Sequence, residues 1–202
     1  MNLRFLCLVS FSCLFFACKE TEQVKVRDDQ GNVLERYTRN KTDYAKHGAY
    51  TAFFPGGGKA EVANYVHDTL DGKRALFFPN GKVQIVENYQ MGRFEGLYQV
   101  YYENGALELE GNYVDNAMTG IWKGYYESGQ LREEVQFENN QENGPFVEYH
   151  ENGNLKAKGT YLNGDQEHGL LELYDENGEL ERKMDCQMGV CRTIWVRDPI
   201  DN

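Results

Sequence analysis

Basic charge is scarce in this sequence. Its 202 residues carry 21 Lys and Arg against 32 Asp and Glu, a formal net charge of −11. A chain of that sign has no general electrostatic footprint for nucleic acid or anionic lipid headgroups, so no nucleic-acid partner is expected. Proline is sparse at 4, and the 21 glycines are not placed at every third position as collagen would need. Catalytic motifs are missing as well: there is no Gly-x-Ser-x-Gly elbow, phosphate loop, dinucleotide fingerprint or His-Glu-x-x-His. His47, His67, His150 and His168 have no second His or Cys at metal-ligand spacing. They read as substituted positions of a repeat, with no metal and no cofactor expected. What the chain does have is aromatic mass, 14 Tyr, 11 Phe and 2 Trp, more than a disordered segment carries.

The longest apolar run, Phe5 to Phe16, is interrupted only by Ser10 and Ser12. It is too short for a membrane-crossing helix, which needs ~20 residues, and follows a short start with one positive charge, Arg4. That is the build of a secretory signal. Phe15-Phe16-Ala17-Cys18 resembles a bacterial lipobox, with Phe15 standing where an aliphatic residue is usual. The resemblance implies loss of residues 1–17, lipid on Cys18, a polar tether over 18–26 and anchoring at the cell envelope, most readily the outer membrane. The alternative is an ordinary cleaved signal. Loss of 1–17 removes Arg4 and takes the net charge from −11 to −12.

Everything after the tether repeats. Gly48, Gly72, Gly96, Gly120 and Gly144 recur every 24 residues, and Gly169 follows at 25. A second Gly lies nine residues after each, from Gly57 to Gly178, and an aromatic five residues after each, from Phe53 to Tyr174. Tyr65, Tyr89, Tyr113, Phe137, Tyr161 and finally Cys186 hold a further column. Fixed periods of this length mark stacked supersecondary units. Each unit reads as a β-hairpin, because β-branched and aromatic residues precede Asn80-Gly81, Asn104-Gly105, Ser128-Gly129, Asn152-Gly153 or Asn177-Gly178. Asn-Gly predicts a type I′ turn, in which both central residues take positive φ. The second strand alternates: Leu107, Leu109, Gly111 and Tyr113 on one face, Glu108, Glu110 and Asn112 on the other. Gly31 to Tyr37 reads as a degenerate half-repeat, and Thr193-Ile194-Trp195 as a closing strand.

The recurring Gly-x-Trp/Tyr-x-x-Tyr-Tyr-Glu-Asn-Gly-x-Leu resembles the MORN repeat in its bacterial variant, found in proteins filed as YwqK-type antitoxins. The expected fold is all-β: a meander of about twelve antiparallel strands over 27–196, in one twisted or curved sheet, with a tail at 197–202. The resemblance implies a scaffold that binds protein partners and sometimes lipids.

Candidate sites follow from the columns. Tyr98, Trp122 and Phe146 share one column and Tyr102 and Tyr126 another. Exposed aromatic stripes mark interfaces, so these five are the candidate partner-binding residues, with core packing as the alternative. Cys186 and Cys191, five apart, are candidates for a disulfide, with two free thiols as the alternative. Glu103, Glu127, Glu151 and Glu176 recur just before the turns and suit a solvated edge rather than acid–base chemistry. The expected function is a lipid-anchored, non-catalytic scaffold that binds a protein partner. An antitoxin-like or purely structural envelope role is the alternative, and the sheet edges allow self-association.

Overall fold

The computed structural model describes residues 20–198, so residues 1–17 and Cys18 lie outside the described residues. One sheet of 17 antiparallel strands runs through them. The first two strands are β1 (Thr21–Arg27) and β2 (Val33–Asn40). Six hairpins follow. They are β3 (Lys46–Phe53) with β4 (Lys59–Val66), β5 and β6 (Thr69–Leu70, Gly72–Phe77) with β7 (Val83–Gln90), and β8 and β9 (Arg93–Phe94, Gly96–Tyr101) with β10 (Leu107–Val114). Then come β11 (Ala117–Tyr125) with β12 (Leu131–Glu138), β13 (Gln141–Tyr149) with β14 (Leu155–Tyr161), and β15 (Gly169–Tyr174) with β16 (Leu180–Gln187). The last strand is β17 (Val190–Val196). Neighbours in sequence are neighbours in the sheet, which is the expected meander.

The turns are distributed differently from expectation. At Asn104-Gly105 only Gly105 has positive φ, +91°. The Gly105 N–H donates to the Tyr102 carbonyl (2.8 Å), and the Tyr102 N–H donates to the Ala106 carbonyl (2.9 Å). That is a three-residue loop with glycine in the left-handed position, not a type I′ turn. The Asn104 side chain accepts the Ala106 N–H (2.7 Å), which explains the asparagine without a positive φ. The two-residue turns with both φ positive lie instead between hairpins, at Asp115-Asn116 (49°, 67°) and Asn139-Asn140 (52°, 67°), for example.

The repeat-start glycines make bulges. Between β12 and β13, Phe137 faces Glu142 and Val135 faces Phe146, so two extra residues sit on β13 around Gly144, whose φ is +127°. A bulge bends its strand and increases twist. With two residues inserted, the alternation of faces carries across it unchanged. Trp122 and Phe146 land on the same face as Gly111, Val135 and Gly159, which pair directly with members of their column. Trp122 and Phe146 are each 3% exposed. Close approach accounts for Gly111, because a Cβ there would stand 2.1 Å from the Trp122 ring.

The spine along this face is aromatic in the middle, where Tyr98, Tyr113 and Trp122 have ring centroids 5.2–5.9 Å apart. Beyond Phe146, whose ring stacks on Tyr161 at 4.1 Å, it becomes aliphatic toward the C-terminal end, with Ala157, Leu171 and Cys186. There Cys186 and Cys191 face one another on β16 and β17 and are joined by a disulfide, Cα atoms 4.0 Å apart. The N-terminal end departs from the expected tether over 18–26: from Thr21 it is strand. Val24 and Val26 alternate there with Gln23 and Lys25, β1 pairs with β2 along its length, and Arg39 binds Glu22 at 2.8 Å.

Candidate protein-binding face

The two sheet faces differ in chemistry. On the core face the aromatic column is interrupted once, by Arg74, which sits between Glu61 (2.7 Å) and Glu87 (3.0 Å). Glu87 also accepts the Tyr89 hydroxyl (3.1 Å). Hydrogen bonding to Glu61 leads the causes that hold the Arg74 guanidinium firmly charged. Burial pushes the Tyr89 hydroxyl up to about 12, with Glu87 adding to it. Both carboxylates and the guanidinium are mutually satisfied, which makes this a structural ion cluster.

The opposite face is a lattice of cross-strand ion pairs. Lys123 meets Glu134 at 2.8 Å, and Glu172 takes both Lys158 (2.7 Å) and Lys183 (2.9 Å). The Tyr125 hydroxyl donates to Glu110 and that of Tyr174 to Glu172. The Lys158 hydrogen bond leads the causes holding the Glu172 carboxyl down at about 2. Through this lattice runs an apolar stripe. Leu97, Ile121 and Leu170 are 40%, 54% and 50% exposed, and Pro145 is exposed in the same column. Each is the residue after a bulge glycine, and each is paired to a polar residue of the next strand: Asn112, Gln136, Thr160 and Asp185. Two strand spacings separate the members, about 10 Å per step. Such a stripe can bury apolar area against a partner while the flanking ion pairs form a polar rim.

The five aromatics singled out from the sequence are placed otherwise. Trp122 and Phe146 are core, and Tyr98 is half-buried against Phe94, Tyr113 and Trp122. Tyr102 and Tyr126 are half-buried and donate their hydroxyls to the carbonyls of Tyr125 and Tyr149, both at 2.8 Å. His150 takes the same position and reaches the Tyr174 carbonyl at 3.0 Å. That column is a ladder tying one hairpin to the next. The second residue after the glycine turns inward and the first outward, because two inserted residues leave the alternation unchanged and Trp122 keeps the face of Met118 and Tyr113. The stripe of Leu97, Ile121, Pro145 and Leu170 carries its own 24-residue signal and takes the opposite face.

The turn acids Glu103, Glu127 and Glu176 are exposed, and their backbone carbonyls accept Asn80, Asn104 and Asn152 side chains of the preceding hairpin. Among the described residues no group of three or more His, Cys, Asp or Glu is arranged to hold a metal ion. The clefts lie at turns and strand ends, as at Gln90, Met91, Arg93, Glu95 and Asp115.

No curated protein matches the chain. The MORN repeat variant family matches residues 70–91, 94–115, 118–139, 142–163 and 167–185, together just over half of the sequence. Each match begins two residues before a bulge glycine, and the first four end on the opening residue of a two-residue turn, so the units coincide with the hairpins of the structure. The hairpin β3–β4 falls outside the matches, although Gly48, Phe53, Gly57 and Tyr65 keep its columns. On both the repeat matches and the hairpin array, the chain belongs to the MORN repeat variant family.

Proposed function

We propose that this chain is a non-catalytic repeat scaffold, held at a bacterial envelope by lipid on Cys18, that binds a protein partner through Leu97, Ile121, Pro145 and Leu170. The observation that carries the reading is the exposed apolar stripe, repeated hairpin after hairpin on a face otherwise filled with ion pairs. Repeats of this family generally serve as scaffolds, often for membranes or proteins. The test is affinity capture from a mild detergent extract of the native envelope, using full-length chain tagged after Asn202. The wild-type bait retains a partner, and an Ile121→Glu, Leu170→Glu bait loses it. An empty wild-type capture, or equal capture by both baits, overturns the reading. Lipid on Cys18 is tested separately by labelling with a fatty-acid analogue, which Cys18→Ser abolishes if the anchor is real.

One observation favours a second reading. The acidic balance, −11 over the whole chain, suits a basic partner approached by electrostatic steering, as an antitoxin or immunity-like protein would need. In that case deletion of the gene harms the cell unless a toxin is also lost. Normal growth after deletion, with no suppressor, retires this alternative.

A further inference from the structure

Lys46 is a cation on the core face without an anion. It opens β3 two residues before the bulge glycine Gly48, a place that Leu70, Phe94 and Met118 take in the next three hairpins. Phe94 packs there against Tyr98 and Tyr113, with ring centroids 6.3 and 5.0 Å away. In the first hairpin the equivalent rings are Tyr50 and Tyr65, 5.5 Å apart and set edge to face at 71°. Tyr37, paired with Tyr50 across the β2–β3 seam, adds a third ring. The Lys46 Nζ stands 4.7 Å from the Tyr50 centroid, 5.2 Å from that of Tyr65 and 5.4 Å from that of Tyr37. Three ring faces within about 6 Å of one cation make an aromatic cage.

The cage attracts a cation but offers its protons no acceptor. Lys123, Lys156, Lys158 and Lys183 each meet a carboxylate at 2.7–2.9 Å. Among the described residues Lys46 makes no such pair, and its ammonium donates no hydrogen bond. A lysine ammonium is strongly hydrated and carries donors that need partners, so it fits these rings less well than a cation with no N–H at all. The surroundings also favour positive charge. Glu35 lies two residues before Tyr37 on the same face of β2 and, among the described residues, has no cationic partner. Burial first, then Glu35 and Glu61, pushes the Tyr50 hydroxyl up to about 12. The Lys46 side chain is free to leave because Asp68 holds its backbone. The Lys46 N–H donates to the Asp68 carboxylate (2.8 Å), and the Lys46 carbonyl accepts the Asp68 N–H (2.9 Å). Unlike Phe94, a lysine that swings out regains water around its charged head.

We propose that Tyr37, Tyr50 and Tyr65 form a binding site for a quaternary ammonium group of the trimethylammonium type, with Lys46 as a tethered occupant that the ligand displaces. The ring faces supply the attraction, and Glu35 supplies the counter-charge. The site lies on β2, β3 and β4 of the core face. The partner-binding stripe lies on β9, β11, β13 and β15 of the opposite face, so the two stand independently.

The experiment is lysine labelling of the full-length chain, read by mass spectrometry as the acetylation rate of Lys46 against that of nearby Lys41. Choline is the probe, and neohexyl alcohol, its uncharged carbon isostere, is the control. The expected result is a Lys46 rate raised about threefold by saturating choline and unchanged by the alcohol, as a displaced side chain requires. Tyr37→Leu and Tyr65→Leu each abolish the choline response. Lys46→Gln removes the tethered competitor, and by calorimetry it binds choline roughly fivefold tighter than wild type does. Vesicles of phosphatidylcholine, compared with phosphatidylglycerol, separate the two sources of the group. A response to free choline assigns a soluble ligand, and a response to phosphatidylcholine alone assigns a lipid headgroup. A response to neither, an equal response to the alcohol, or one that survives both tyrosine changes overturns the site. A Lys46→Gln chain that binds choline no tighter than wild type overturns the displacement, and so the proposal as stated.

Discussion

Adjacent residues on β11 carry opposite burdens. Trp122 is packed between Gly111 and its aromatic neighbours, while Ile121 projects from the other face. Gly111→Ala places a methyl group against the indole ring, and the expected loss is about 3 kcal/mol in chemical denaturation. Ile121→Glu changes stability by no more than ~0.5 kcal/mol. A Gly111→Ala variant as stable as wild type would show that the spine can shift to admit the methyl group. At Glu172 the prediction concerns pH. Lys158 leads the causes that hold this carboxyl at about 2 against the ordinary 4.5, so the fold favours its ionised form. The stabilisation is fully present above the ordinary carboxylate range and is lost as pH falls from there toward 2. Glu172→Gln therefore costs about 1–2 kcal/mol at pH 7, discounted because Lys158 and Lys183 are partly exposed, and almost nothing at pH 2. Urea titrations of both chains at the two pH values check this, and a pH-independent difference removes the ion-pair account.

Each hairpin is fastened to the next by a small set of bonds. The Asn140 N–H donates to the Met118 carbonyl (3.2 Å), and its side-chain oxygen accepts the Met118 N–H (2.7 Å). Asn116 does the same at Phe94, whereas Gly92 and Gly164 keep only the backbone bond. Asn140→Gly preserves the positive φ and removes one hydrogen bond, for an expected loss of about 1 kcal/mol. Tyr126→Phe, which cuts the ladder bond to Tyr149, costs a similar amount. The two bonds lie at opposite ends of the strands, Asn140 in the β12–β13 turn and Tyr126 in the β11–β12 loop, so the losses should add. These elements also show what the sequence can and cannot tell. The 24-residue columns, the hairpins and the alternation of Leu107 to Tyr113 are legible because period and polarity survive in one dimension. The turn types are not. Asn-Gly suits both a two-residue loop and the last two places of a three-residue loop, and only the pairing of Tyr102 with Ala106 decides. The face of Trp122 is illegible for a related reason. Ile121 and Trp122 are adjacent and both large and apolar, so polarity alone does not say which of them faces the core. The same uncertainty hides the exposed column of Leu97, Ile121, Pro145 and Leu170. β1 escapes notice because Thr21–Arg27 holds only two valines among polar residues and becomes a strand by pairing with β2.

Across the whole array of described residues, each hairpin packs mainly on its neighbours, so stability is a sum of local terms and the ends open first. The disulfide between Cys186 and Cys191 sits at one such end, bridging the last hairpin strand and the edge strand. Reduction leaves the packing of Cys186 in the core cluster in place and removes only the cross-link. For a loop this short the chain-entropy model gives about 2 kcal/mol, a roughly thirtyfold change in local opening. Hydrogen exchange after reduction should accelerate by that factor in β16 and β17 and fall off through β15 and β14. The amides of β3 to β7 should keep their rates, because no contact carries the change that far. Uniform acceleration across all strands would mean that the array unfolds as one cooperative body, and the long sheet would then owe its stability to coupling between repeats more than to each hairpin alone.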